Sequence, residues 1–181
     1  LVAAGVESLA ICLLHAYRSD VHERQLQAAI SQAYPQLSLT LSCDTAPVIR
    51  EYERMTTTLA DAYIKPMARH YLAALAQRLA ALGLPRDILM MLSNGGLSHL
   101  DHARAHPIAL LESGPAAGAI SAAYHSQREG QSDLLAFDMG GTTAKICLVE
   151  QGKPSVAFGF EAARRERFAE GSDARAHYNR G

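Results

Sequence analysis

The chain reads as an α/β protein, a mixed sheet with flanking helices, and three observations predict it. Short apolar runs at residues 8–14, 88–92 and 134–137 alternate with segments of helical periodicity. After Pro47, Leu59, Tyr63, Met67, Tyr71, Leu75 and Leu79 recur at helical spacing. Near the end, residues 143–149 lead through Gln151-Gly152 into 155–158, a hairpin that adds antiparallel strands to one sheet.

Each element has its own signal. The run 8–14 (SLAICLL) is continuous and apolar, as in a buried strand. Asp20 with Glu23 resembles a capping box and opens a helix that Pro35 ends. Leu37, Leu39 and Leu41 alternate with Ser38, Thr40 and Ser42, a half-buried strand. The long helical region is expected to put its apolar stripe in the core. Pro66 predicts a kink or two abutting helices there, and Gly83 and Pro85 end the region. Residues 88–92 form a buried strand running into Ser93-Asn94-Gly95-Gly96, and a short helix covers 98–105. Pro115 suits the first turn of a helix of small residues that runs to about Ser126. Residues 134–137 and 143–149 are strands, with a glycine turn at 138–142 between them.

Composition narrows the function classes. The 181 residues are one domain or a large piece of one, and 49% apolar content is enough for a core. A net charge of -1 provides no basic field for nucleic acid. Cys12, Cys43 and Cys147 lack paired spacing and are expected to be buried reduced thiols in a cytoplasmic protein. Residues 1–14 have no basic stretch ahead of them, are interrupted by Glu7 and precede no cleavage site, so a signal peptide is not expected. No run reaches the ~20 apolar residues of a membrane helix. The first residue is Leu, and 173–181 lack apolar periodicity, so a piece of a longer chain is expected.

The sharpest chemical signal is FDMGGTTAKICLV, residues 137–149. An apolar strand delivers Asp138, and Gly140 and Gly141 then bring bare backbone N–H groups close to a ligand. Thr142 and Thr143 add hydroxyl groups. A concave array of donors suits phosphate oxygens, and a carboxylate beside it suits a hydrated Mg2+ ion. A plain hairpin with a Gly-Gly turn is the simpler alternative, and the flanking Asp and Thr residues favour phosphate. It is not a Walker loop, because no Gly-Lys-Ser/Thr follows, nor a dinucleotide fingerprint, because a strand follows the glycines.

The segment ESGPAAGAISAAY (112–124) is rich in small residues, which let a helix pack closely or slide. A small-residue helix followed by Asp-x-Gly-Gly-Thr is the order seen in actin-like ATPases, where the helix is the interdomain hinge and the turn is the second phosphate loop. Together, IREYERMTTTLADAYIKP (49–66), MLSNGG (91–96), ESGPAAG (112–118) and FDMGGTTAKICLV resemble the hydantoinase A/5-oxoprolinase family. The resemblance runs from about Gly5 to about Ser172, with four motifs in the family's order. It implies an actin-like ATPase (ribonuclease H-like) fold, ATP and Mg2+ as cofactors, and ATP-dependent opening of a cyclic amide such as 5-oxoproline, as in glutathione metabolism, or hydantoin.

That resemblance also implies a longer polypeptide, since the earlier Asp-x-Gly-Gly-Thr loop and the later adenosine-binding part are not found here. Residues 1–132 are then the central α/β region with a hinge helix at 115–127, and 133–181 start the second ATPase subdomain. The implied partners are the rest of the parent chain and a hydantoinase B-type subunit.

In this reading Gly140, Gly141, Thr142 and Thr143 hold phosphate and Asp138 serves Mg2+. Gly95, Gly96, Ser113 and Gly114 belong to the nucleotide site, and Gly114 with Gly118 lets the hinge helix close the cleft. Lys145, where many members carry another residue, pairs with phosphate or caps a strand in solvent. Asn94 donates to a substrate carbonyl or simply shapes a turn. Arg50, Glu51 and Arg54 are a solvated charge cluster or line the cleft. His99, His102 and His106 share one helix face, and core or surface roles outweigh metal binding. Ser113 lacks a nucleophile-elbow context, so it is not read as a catalytic serine. Two alternatives stay open: a carboxylase subunit of the acetone carboxylase type, and a non-catalytic actin-like nucleotide-binding module.

Overall fold

The computed structural model describes residues 2–84, 87–141 and 143–156, together with the backbone of 159–161 and 177–179. The chain divides into two compact units. One comprises Leu1–Arg86, Arg104–Ile108 and Phe158–Gly181, and the other Asp87–Ala103 and Ala109–Ala157. The subdomain boundary expected at 132/133 falls inside the second unit.

In the first unit, β1 (Ser8–Ile11) and β2 (Ser38–Leu41) pair in parallel, from Ser8↔Ser38 to Ile11↔Leu41, with α1 (Val21–Ala33) as the crossover. The strand expected over 8–14 ends at Ile11, and Leu14 lies exposed in a turn. The capping box does not form. Asp20 makes no side-chain cap, and its carboxylate accepts from Arg24 Nε at 3.1 Å. Glu23 turns inward instead. The alternation in β2 does not leave a wet face either. Thr40 and Leu41 are both buried, because α1 and a later helix pack on this strand.

That helix, α3 (Glu51–Ala81), follows the single turn α2 (Ser42–Thr45). It is one helix of 31 residues with Pro66 inside it, so two abutting helices are not found. Its buried stripe is Arg54, Thr57, Thr58, Asp61, Ala62, Lys65 and Leu72. The stripe expected in the core faces outward, with Tyr63 85% and Met67 71% exposed and Leu59 and Tyr71 also exposed.

The inversion has a physical reason. The inner face of α3 meets irregular backbone whose polar groups need partners once buried. Asp61 Oδ1 accepts from Ile108 N at 2.9 Å, and Lys65 Nζ lies 2.9 Å from Asp61 Oδ2. Ser8 Oγ donates to Ala62 O at 2.7 Å. Thr57 and Thr58 donate back to the carbonyls of Glu53 and Arg54, at 2.7 and 2.6 Å.

In the second unit, β3 (Leu89–Met91) and β4 (Leu97–His99) form an antiparallel hairpin, followed by α4 (Leu100–Ala105). Ser98 and His99, expected in a helix, are therefore strand residues. Leu89 is exposed, so β3 is not the buried strand the apolar run suggested. Next come α5 (Ser113–Arg128) and the three-stranded antiparallel sheet β5 (Leu134–Met139), β6 (Ala144–Glu150) and β7 (Lys153–Pro154). Asp138, expected in the turn, is the penultimate residue of β5.

The expected turn at Gln151-Gly152 forms, with φ of 51° and 73° as a primed hairpin turn requires. The strand after it is Lys153–Pro154, not 155–158; Ala157 and Phe158 lie outside the described residues. Gln127 Nε2 donates to Gly152 O at 3.1 Å and fixes that turn to α5. β8 (Gly159–Glu161) and β9 (His177–Asn179) pair separately, so the described strands form four sheets, one parallel and three antiparallel, with helices among them. Cys12, Cys43 and Cys147 are unbridged as expected, but each is half-buried, not buried.

Candidate functional site

The β5–β6 hairpin carries the leading motif. Its register runs from Leu134↔Val149 to Asp138↔Lys145 and Met139↔Ala144, and Gly140 N donates to Thr143 O at 3.0 Å across the turn. Thr142 lies outside the described residues. Neither Gly140 nor Gly141 has a positive φ. A Cβ on Gly141 would meet nothing within 4 Å, and one on Gly140 only Thr143 O at 3.9 Å. Internal packing therefore gives no reason for glycine at either position, and the pair leaves the backbone of the turn bare. Asp138 is exposed, and its carboxylate makes no hydrogen bond or ion pair among the described residues. A hard cation needs such an uncommitted carboxylate.

Lys145, directly across from Asp138, neither caps a strand in solvent nor waits uncommitted. Its ammonium pairs with the carboxylate of Glu112. Glu112 is the N-cap of α5 at φ 68° and ψ 14°, so the sequence ESGP sets a left-handed residue directly before the helix. Gly114 and Gly118 follow one turn apart, and a Cβ at either would meet open space. Interior helical glycine costs up to ~1 kcal/mol relative to Ala, so α5 carries Gly118 in its interior, and Gly114 in its first turn, without a packing need. Ser113 is its first residue. Sequence reasoning missed the role of Glu112; the one available signal was its position beside Ser113-Gly114-Pro115.

The second expected loop, Ser93–Gly96, follows the carboxyl end of β3 and forms the bend of the antiparallel β3–β4 hairpin. Leu92 N donates to Gly96 O at 2.8 Å and Gly95 N to Leu92 O at 3.0 Å. Asn94 Oδ1 accepts from Gly96 N at 2.9 Å, so that oxygen shapes the turn. Gly95 has φ +84°, and a Cβ there would lie 2.8 Å from Ile120 Cδ1. Glycine is favoured at this position by the left-handed backbone, and a Cβ would also make the end of the Ile120 side chain shift. Ile120 in the middle of α5 thus approaches the Ser93–Gly96 bend, and Glu112 at its start holds Lys145 of β6.

Arg54 cannot line a cleft, and it is not on a solvated face either. It is fully buried, with Nε donating to Ser42 Oγ at 3.1 Å, Nη1 to Val48 O at 3.2 Å and Nη2 to Leu13 O at 2.6 Å. Ser42 Oγ passes the chain on to Glu23 Oε1 at 2.6 Å, and Glu23 also accepts from Leu13 N at 2.8 Å and Cys43 N at 2.9 Å. Burial alone would raise the Glu23 pKa, but the Ser42, Cys43 and Leu13 donors outweigh it and hold the carboxyl below its ordinary value. Burial, and then the neighbouring Glu23, push the Cys43 thiol up to about 12. This knot ties α3 to the backbone at Leu13, Cys43 and Val48. Arg50, by contrast, is exposed and pairs with Glu53 at 3.6 Å. No group of His, Cys, Asp and Glu among the described residues could hold a metal as a cluster, His99, His102 and His106 included. Among the same residues no helix is long and apolar enough to cross a membrane.

Comparison with known proteins supports the same direction. Caprolactamase subunit alpha of Pseudomonas jessenii is 29% identical over 82% of this chain and 21% of its own. The 5-oxoprolinase of Saccharomyces cerevisiae is 32% identical over 84% of this chain and 12% of its own. Among solved structures, nucleotide-free acetone carboxylase, described as carboxylating acetone in an ATP-dependent manner, matches with a TM-score of 0.74 and 27% identity. The match covers 84% of this chain and 22% of that one. The chain therefore spans about a fifth or less of the length of these relatives. The hydantoinase/oxoprolinase family matches residues 54–170, and the chain belongs to that family.

Proposed function

We propose that these residues serve, within a longer polypeptide, as the second phosphate loop and hinge of an ATP-dependent enzyme that opens a cyclic amide. The carrying observation is the turn at 140–143, whose glycines answer no internal need beside the uncommitted carboxylate of Asp138. In this reading the backbone N–H of Gly141, with Thr142 and Thr143, receives ATP phosphate and Asp138 serves Mg2+, while the Gly140 N–H is already given to Thr143 O and closes the turn. The nucleotide supplies a phosphoryl group for the amide oxygen, which leaves the ring carbon open to water. The chain's own share is to hold the phosphates, screen their charge and let α5 close over them. The names of the 5-oxoprolinase and caprolactamase relatives support a cyclic amide, and the subunit designation of the latter supports a B-type partner.

The test is ATP hydrolysis by the complete polypeptide with its partner, stimulated by 5-oxoproline, hydantoin or caprolactam. Stimulation by at least one ring, lost in Asp138→Ala, is the expected result. No stimulation by any ring, or an Asp138→Ala protein with full activity, refutes it. The likeness to acetone carboxylase favours a second reading, which bicarbonate-dependent carboxylation of a ketone selects. Nucleotide binding without turnover would instead mark a non-catalytic module.

A further inference from the structure

Lys145 is held by Glu112, not by the turn it borders. It stands opposite Asp138, one residue pair from the Met139↔Ala144 closure of the 140–143 turn. Its side chain is 33% exposed and that of Glu112 17%, so the pair is accessible and only partly desolvated. A lysine ammonium on a flexible four-carbon stem reorients readily, and a phosphate carries more negative charge than one carboxylate. Glu112 meanwhile leads directly into Ser113 and Gly114, at the start of α5.

We propose that Glu112 is a positioning residue that holds Lys145 in reserve, and that a nucleotide phosphate seated on the 140–143 turn takes Lys145 from it. This rests on reading that turn as a phosphate loop. Carboxylate and phosphate then compete for one cation, and phosphate binding releases the start of α5 from the hairpin. The coupling is reciprocal: phosphate binding weakens the pair by the same factor by which the pair weakens phosphate binding.

The experiment measures ATP affinity by calorimetry, together with KM and kcat for ATP hydrolysis, in the complete polypeptide. The variants are Glu112→Gln, Lys145→Met, Lys145→Arg and the double variant Glu112→Gln/Lys145→Met. Freeing Lys145 by Glu112→Gln is expected to tighten ATP binding about five- to tenfold, at the low end of typical coupling, and to lower KM more than it changes kcat. Lys145→Met weakens binding, Lys145→Arg restores part of it, and the double variant matches Lys145→Met alone. A Glu112→Gln protein with unchanged or weaker ATP affinity overturns the proposal, and so does an effect that simply adds to that of Lys145→Met. Failure of the underlying reading looks different: ATP does not bind the unaltered protein, or Gly141→Val binds it as well as the unaltered protein does, and either result overturns both.

Discussion

Replacing Arg54 by Met removes a buried guanidinium while keeping most of its apolar stem. Three donated hydrogen bonds disappear, to Ser42 Oγ, Val48 O and Leu13 O, along with a cation–π contact 5.7 Å from the Tyr17 ring centre. Two backbone carbonyls lose this donor at about 1–3 kcal/mol each. The Glu23 carboxylate loses the cation at the far end of the Ser42 relay. Breaking a buried charge arrangement from one side costs about 3–5 kcal/mol, and we expect a loss in that range. Against a total stability of about 5–15 kcal/mol this is a large fraction. The chain has no Trp, so urea unfolding is best followed by far-ultraviolet circular dichroism. Ser42→Ala should couple to Arg54→Met, with the double variant losing less than the sum of the singles by about 0.5 kcal/mol or more. A loss below about 1 kcal/mol for Arg54→Met, or strict additivity with Ser42→Ala, would refute the reasoning.

Three further outcomes are expected. Along α3, Leu72→Ala (2% exposed) should cost about 2–5 kcal/mol, whereas Tyr63→Ala (85% exposed) should stay within about 0.5 kcal/mol; unfolding midpoints that reverse this order would place the apolar stripe inside. Gly95→Ala forces a non-glycine residue to φ +84° against Ile120 and should cost at least the ~1–2 kcal/mol of a left-handed residue. Gly114→Ala should be neutral or stabilising in the same measurement. For pH, the depressed Glu23 pKa gives stability that is present above the ordinary value of 4.5 and lost as pH falls through the folded-state value, so Glu23→Gln should flatten the acid side of a stability–pH curve. The raised Cys43 pKa works at the other end: its stability is present below 9.0 and declines as pH rises toward about 12. Accordingly, iodoacetamide should alkylate Cys43 slowly at pH 8 in the folded protein.

How much was legible follows from which residues interact locally. The α/β class, the primed turn at Gln151-Gly152, the hairpin around Gly140-Gly141 and the helix after Glu112 could all be read from neighbours in the chain, because turns and periodicity are short-range. Four ordered motifs also identified the family. Where partners are distant in sequence, local reading failed. The Asp20/Glu23 pattern promised a cap, but Glu23 belongs to Ser42 and Cys43, 19 and 20 residues away. The β3–β4 hairpin was missed because Leu97–His99 is too short for alternation to register.

The sequence by itself determined the secondary-structure class and the bare glycine turn next to Asp138, since both depend on backbone preference over a few residues. Only the tertiary structure decided which side of α3 is inside. Hydrophobic spacing favours the Leu59–Tyr63–Met67–Tyr71 stripe, but the backbone groups around Leu13, Val48 and Ile108 need hydrogen-bond partners once buried, and Arg54 and Asp61 provide them. It also decided that Lys145 pairs with Glu112, because a strand lysine shows no sign in sequence of a helix start 33 residues earlier whose carboxylate folds back onto it.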